Sequence, residues 1–213
     1  MKKAIFIVAH PDDAEIVAGG TIKALVKAGM QVRVLNVTIS EFSESTRQAR
    51  CTASKAAAAI LGHEVDWLYT DNTNQVEDIP VYKLVTRLDA YLADYAPDIV
   101  FTHTDDDSHW DHVCVSRAVL ASSRKWGASL VFMPPSELRS PAYNRFCPNW
   151  FIDISEFVVN KTEAVNLYNF DGQNYRRLTA EDYINVNRAA GINIGVQYAE
   201  SFCIIRHKGL LSM

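Results

Sequence analysis

The chain has no excess of positive charge, no long apolar run, and no cysteine spacing of the zinc-ribbon or disulfide-scaffold kind. Its 21 Lys and Arg are outnumbered by 25 Asp and Glu, for a net charge of −4. No basic cluster is longer than Arg176-Arg177. A protein built to grip nucleic acid normally carries a basic stripe, so that class is set aside. The longest uninterrupted apolar runs, 4–9 and 56–61, have six residues each, against about 20 for a membrane-spanning helix. The first run stops at His10-Pro11-Asp12-Asp13, too early for a secretion signal, and no small-residue cleavage site follows. Cys51, Cys114, Cys147 and Cys203 lie far apart, which predicts reduced, mostly buried thiols in a cytoplasmic protein. No linker, internal repeat or low-complexity tract interrupts the chain.

What remains is an ordinary globular composition, 48% hydrophobic and 22% charged over 213 residues, with room for one α/β domain spanning 1–213. Residues 4–9 form a continuous apolar run rich in β-branched side chains, the pattern of a strand buried on both faces. Ile16, Ala18, Ile22, Leu25 and Val26 then recur at helical spacing up to Gly29. Further strands are predicted over 31–37, 64–69, 98–102 and 130–132, and helices over 47–61, 79–95 and 112–123. The last third is less regular, with strands at 150–153 and 202–205 and helices around 158–170 and 179–190. Strand and helix alternate with short connections. The expected fold is a single Rossmann-like α/β domain with a mostly parallel sheet and helices on both faces.

In such sheets ligands sit beyond the carboxyl ends of the strands, and two of those loops are crowded with metal-type side chains. One reads Ala9-His10-Pro11-Asp12-Asp13-Ala14-Glu15 and leads to Gly19-Gly20-Thr21; the other runs from Thr102-His103 through Asp105-Asp106-Asp107 to His109-Trp110-Asp111-His112. Four of the six histidines are in these two loops. Two imidazoles, one carboxylate and an open position for water make a recognised hydrolytic zinc arrangement. A further carboxylate that does not bind metal can take a proton from the water. Asp12 and Asp13 could alternatively cap the helix that follows them. Asp105-Asp106-Asp107 reads as a solvated acidic loop, with tuning or gating of substrate entry as the alternative, His103 as a structural residue at a strand end or a support to a metal ligand, and His63 and His207 as incidental. Trp110 offers either a sugar-stacking surface or packing.

His10-Pro11-Asp12-Asp13 together with His109-x-Asp111-His112 resembles the LmbE-like (PIG-L) family of zinc-dependent de-N-acetylases. The likeness extends to Gly19-Gly20-Thr21, Ile60-Leu61-Gly62, Val100-Phe101-Thr102-His103, Ile152-Asp153-Ile154-Ser155 and Tyr198-Ala199-Glu200-Ser201-Phe202. It implies Zn²⁺ as cofactor, with His10, Asp13 and His112 as metal ligands. Asp12 would be the general base, and His109 a second catalytic group oriented by Asp111. Glu41 and Asp71 match acidic positions of the family's substrate pocket, with solvated loop residues as the equal alternative. The implied reaction removes an N-acetyl group from a small-molecule amino-sugar derivative. Beside it stand an amidase of a larger N-acyl sugar conjugate and a non-catalytic sugar-binding module on the same fold. Rim loops in this family often pack against neighbouring subunits, which allows a homo-oligomer. The sequence departs from the family pattern at Ala14, where a Glu is usual, at Ala53 opposite Arg50, and at Tyr168-Asn169-Phe170.

Overall fold

The computed structural model describes residues 1–39, 43–70, 75–168 and 179–209. Its first strand, β1 (Lys3–Val8), lies inside the sheet, and Ala4 through Ala9 have no exposed surface. The chain then runs α1 (Asp13–Lys27), β2 (Gln31–Asn36), α2 (Glu44–Leu61), β3 (Glu64–Trp67), α3 (Val81–Tyr95), β4 (Ile99–His103), α4 (Trp110–Ser122) and β5 (Ser129–Met133). It ends with α5 (Pro141–Arg145), β6 (Trp150–Asp153), α6 (Val158–Asn166), α7 (Ala180–Ile192) and β7 (Ala199–Arg206). The seven strands form one sheet in the order β3-β2-β1-β4-β5-β7-β6. The first five are parallel, and β7 runs antiparallel to both β5 and β6. The mostly parallel α/β architecture expected from the sequence is therefore the observed one. Among the described residues, the short helix α5 has no counterpart in the hydrophobic periodicity, because five residues are too few to display it.

The two faces of the sheet are read off β1 by the period-two alternation of a strand. Ala4, Phe6 and Val8 join a core with Ile16 and Val17 of α1, Ala57 and Leu61 of α2, Ala164 and Val165 of α6, and Tyr183 of α7. Ile5, Ile7 and Ala9 join the opposite core with Leu84, Leu88 and Leu92 of α3 and Val115 and Val119 of α4. Gly62 ends α2 at φ 86°, in the left-handed region where a residue without Cβ costs least. All four cysteines are free, yet none is buried as composition suggested. Three are half-buried, Cys51 in α2, Cys114 in α4 and Cys203 in β7, and Cys147 lies exposed in the loop before β6. No helix among the described residues is long and apolar enough to cross a membrane.

The strand order reverses between β1 and β4, since β2 and β3 extend the sheet one way and β5 the other. The loops leaving β1 and β4 therefore part to opposite faces and open a crevice between them. One helix bordering it, α1, is fixed from behind by a buried charge. Glu200 of β7 has no exposed surface, and its carboxylate accepts from the Nζ of Lys161 at 2.7 Å. It also accepts from two amides in the middle of α1, Gly20 N–H at 3.0 Å and Thr21 N–H at 2.7 Å. Close packing of Ile154 and Lys161 on α1 accounts for the glycines: a Cβ at Gly20 would stand 2.7 Å from Ile154 atoms, and one at Gly19 3.2 Å from Lys161. Glu200→Gln should leave the buried Lys161 ammonium without its counter-charge and destabilise the fold by about 3–5 kcal/mol. A denaturant midpoint equal to that of the parent chain would show that the pair does not anchor α1.

Candidate metal centre

The two motif loops are stitched together by the strands that lead into them. The Thr102 hydroxyl donates to the Ile7 carbonyl at 3.0 Å, and the Ala9 N–H donates to Nε2 of His103 at 3.0 Å. Past that stitch, Asp13 begins α1 with its carboxylate fully buried. The His10 N–H donates to Asp13 Oδ2 at 3.0 Å. Nδ1 of His10 stands 3.6 Å from Asp13 Oδ2, and Nε2 of His112 stands 3.3 Å from Asp13 Oδ1. His112 is stacked between His103 and His109, at ring-centroid distances of 4.0 and 4.5 Å. Burial opposes the charge of Asp13, yet His112, His103 and His10 together hold its pKa well below the usual carboxylate value. Burial likewise opposes charge on His112, but Asp13 and Asp107 lift it to about 10. The space between them favours positive charge.

Two trios place ligating atoms within 4.8 Å of one another: Asp13, His103 and His112, and His10, His109 and His112. Hydrogen bonding separates the four imidazoles. Nε2 of His103 already accepts the Ala9 N–H, and Nδ1 of His109 accepts the Asp111 N–H at 3.3 Å. A neutral imidazole has one lone pair, so neither ring has another to offer a cation. The other two rings are arranged the opposite way. His10 Nε2 faces Asp111 Oδ2 at 2.8 Å and His112 Nδ1 faces Asp107 Oδ2 at 2.9 Å. Each of these nitrogens must be the N–H donor to its carboxylate. Once His112 gives up its second proton, as metal binding requires, that leaves the lone pairs on Nδ1 of His10, 3.6 Å from Asp13, and on Nε2 of His112, 3.3 Å from it. Nε2 of His112 is buried without a hydrogen-bond partner, which is the state of a donor atom meant for a metal. His10, Asp13 and His112 could hold a divalent cation.

Asp12 occupies the N-cap position of α1 at φ 106°, and its side chain makes no capping bond. A non-glycine residue in that region costs on the order of 1–3 kcal/mol, and such strain gathers at functional turns. Asp111 is placed differently from expectation. Its carboxylate is taken by His10 and by the Glu77 N–H at 2.9 Å, so it orients His10 and not His109. Only its backbone N–H reaches His109. Burial, then the neighbouring His112 and His10, push the His109 pKa below the ordinary value, and the ring presents a neutral Nε2–H. Glu41 and Asp71 lie outside the described residues.

Two residues, Asp107 and Glu15, play larger parts than the sequence suggested. Asp107 was read with its neighbours as solvated, but its side chain is 1% exposed and bonded to His112. An acidic residue five positions ahead of a ligand-type histidine, where loop turns into helix, was the available signal. His103 is a stitch between loops. Glu15, fully buried one turn behind Asp12, receives the Tyr168 hydroxyl at 3.0 Å, and burial pushes its pKa up to about 7. In front of the centre, Asp107, Ser108, His109, His112, Ser136 and Glu137 line a cavity of about 280 Å³.

Residues 5–123 match the family model of PIG-L, described as GlcNAc-PI de-N-acetylase. A 1D-myo-inositol 2-acetamido-2-deoxy-alpha-D-glucopyranoside deacetylase of Mycobacterium sp. (strain KMS) is 28% identical over 152 residues, 56% of this chain and 49% of that protein. The chain thus spans about half the length of the mycobacterial relatives it matches. Among solved structures, the conserved protein TT1542 from Thermus thermophilus has a TM-score of 0.76 at 26% identity, covering 96% of this chain and 95% of that one. GalB, the 4-carboxy-2-hydroxymuconate hydratase of Pseudomonas putida KT2440, has a TM-score of 0.79 at 20% identity over the full length of both chains. That likeness is one of fold.

If the lone-pair pattern sets the donors, His10→Ala and His112→Ala should lose bound divalent metal. His103→Gln, which keeps an acceptor for the Ala9 N–H, should retain it. Elemental analysis of the purified variants decides, and full occupancy in His112→Ala would place the metal on other residues.

Proposed function

The chain belongs to the PIG-L family of de-N-acetylases, and from that premise we propose that it is a zinc-dependent hydrolase of an N-acetylated amino-sugar derivative. The products are the free amine and acetate. The observation that carries the reading is that His10 Nδ1 and His112 Nε2, each on a ring whose other nitrogen is bonded to a carboxylate, face the Asp13 carboxylate beside an open cavity. We assign these three residues as the ligands. A zinc ion held there would acidify the attacking water and polarise the amide carbonyl.

The remaining steps belong to the chain's own side chains. Asp12, kept out of the capping role at the strained start of α1, takes the proton as water oxygen bonds to the carbonyl carbon. The carbonyl oxygen gains charge, and the neutral Nε2–H of His109 donates to it. When the C–N bond breaks, Asp12 returns the proton to the departing amine nitrogen, and acetate leaves. Asp111 serves this sequence by fixing His10. The mycobacterial relative, named for an acetamido-sugar substrate, supports an N-acetylglucosaminyl group as the moiety bound in the cavity. The free state of all four cysteines supports work in a reducing compartment, the cytoplasm.

Asp12→Asn should keep its metal and its substrate affinity while turnover falls about 10²-fold or more. Loss of metal in that variant would make Asp12 a ligand and move the base elsewhere. His109→Gln, which retains a side-chain N–H, should lose less rate than His109→Ala. Mass-spectrometric screening of N-acetylated amino sugars for loss of an acetyl group tests the substrate class. Hydrolysis confined to longer N-acyl conjugates would turn the reading to an amidase.

A further inference from the structure

We propose that Asp107 is a positioning residue that sets the metal affinity of the centre by holding the His112 ring in one of two otherwise equivalent orientations. Asp105, Asp106 and Asp107 share one loop but not one environment. Asp106 turns outward, its side chain half exposed, and pairs with Arg145 across the surface. Asp107 turns inward with a side chain 1% exposed. Both of its oxygens are used: Oδ2 accepts from His112 Nδ1 at 2.9 Å, and Oδ1 accepts the His109 N–H at 3.0 Å. It also lines the cavity in front of the centre. One carboxylate therefore joins a ligand-type histidine to the wall against which a substrate would lie.

The stacking around His112 shows why this bond is needed. His103 lies nearly parallel to it on one face, at 8°, and His109 on the other, at 12°. A sandwich of that kind fixes the plane of the ring. It does not distinguish the ring from its copy flipped by about 180° about the Cβ–Cγ bond, in which a carbon replaces Nε2 opposite Asp13. A directional partner at Nδ1 selects between the two, more firmly than the 3.3 Å approach of Nε2 to Asp13. Asp107 is that partner, and as an acceptor it also keeps the proton on Nδ1 and the lone pair on Nε2. Removing it leaves the plane intact but both the rotation and the tautomer unspecified.

The inference rests on His10, Asp13 and His112 being the metal ligands, and not on the identity of the substrate. Zn²⁺ affinity of the full chain, measured by competition with a chromophoric chelator, tests it, with the visible spectrum of the Co²⁺-loaded protein reporting ligand geometry. Asp107→Ala should weaken binding by about 10–100-fold at unchanged stoichiometry and alter the Co²⁺ spectrum. Asp107→Asn, able either to accept from Nδ1–H or to donate to Nδ1, should fall between it and the parent chain. Asp106→Asn, on the same loop, should bind as the parent does. Parent-like affinity and spectrum in Asp107→Ala overturn the proposal. If that variant does not fold, parent-like values in Asp107→Asn do so. The ligand assignment fails separately: undiminished binding in His112→Ala overturns it and this inference together, whereas lost binding there with parent-like Asp107→Ala overturns this inference alone.

Discussion

A carboxylate with no access to water is the constraint around which the centre is organised. Asp13 is fully buried at the first residue of α1, and an uncompensated charge in such a place would cost several kcal/mol or neutralise itself. Its compensation comes from the amide of His10, from the imidazoles of His10, His103 and His112, and from the N-terminal end of the helix it begins. These groups belong to the loop after β1, the end of β4 and the start of α4. They converge only because β1 and β4 are neighbours in the sheet and the crossovers leave them in opposite directions. The charge and the strand order thus depend on each other.

The same helix is held at a second point, and the two are linked by its rigidity. Glu200 and Lys161 pin the middle of α1 through the amides of Gly20 and Thr21, about two turns from Asp13. The turn at Asp12 is strained, and strain persists only where its surroundings leave the backbone no cheaper alternative. A helix free to slide or fray could relax that turn by shedding a residue from its first turn. One fixed from behind by a buried ion pair cannot. The stretch Gly19-Gly20-Thr21, which by itself suggests only flexibility, is the part of α1 that must admit β7 and α6 at close range.

Legibility in the sequence followed the range of the interactions. The apolar runs of β1 and β4, the helical periodicity of α1 and α3 and the glycine that ends α2 are local properties, and the elements lie where those patterns put them. The two motif loops were legible because each carries its chemistry within a few residues of a strand end. The partners of individual carboxylates were not. Asp107 and Asp106 are adjacent acidic residues, yet one is buried on a histidine and the other exposed on an arginine. Which way each points is decided by the turn into α4. Asp111 lies two residues from His109 and 101 residues from His10, and proximity in sequence favoured the wrong partner. Lys161 and Glu200 had no local mark as a pair, since 39 residues separate them.

A fold that also serves a hydratase does not by itself fix the reaction, and the structure separates what does from what selects the substrate. Both reactions add water, and both call for an activated water with a base beside it and a donor for developing negative charge. In the proposed reaction those parts would come from residues 10–13 and 109–112, whose positions the buried charge of Asp13 and the order of β1 and β4 dictate. The electrophile is chosen by what else surrounds the cavity. Ser136 and Glu137, on the loop after β5, share that cavity with His109 and His112, and Trp110 stands 52% exposed beside them in sequence. The charge of Asp13 is balanced by His10, His103 and His112 and not by these three, so they can change with less effect on that balance. Loops carried on a rigid scaffold have this freedom. Asp107 is the exception, because it stands in the cavity wall while bonded to His112. A substitution there to suit a new substrate would disturb His112, and with it the proposed metal centre, which leaves Asp107 less open to change than Ser108, Ser136 or Glu137.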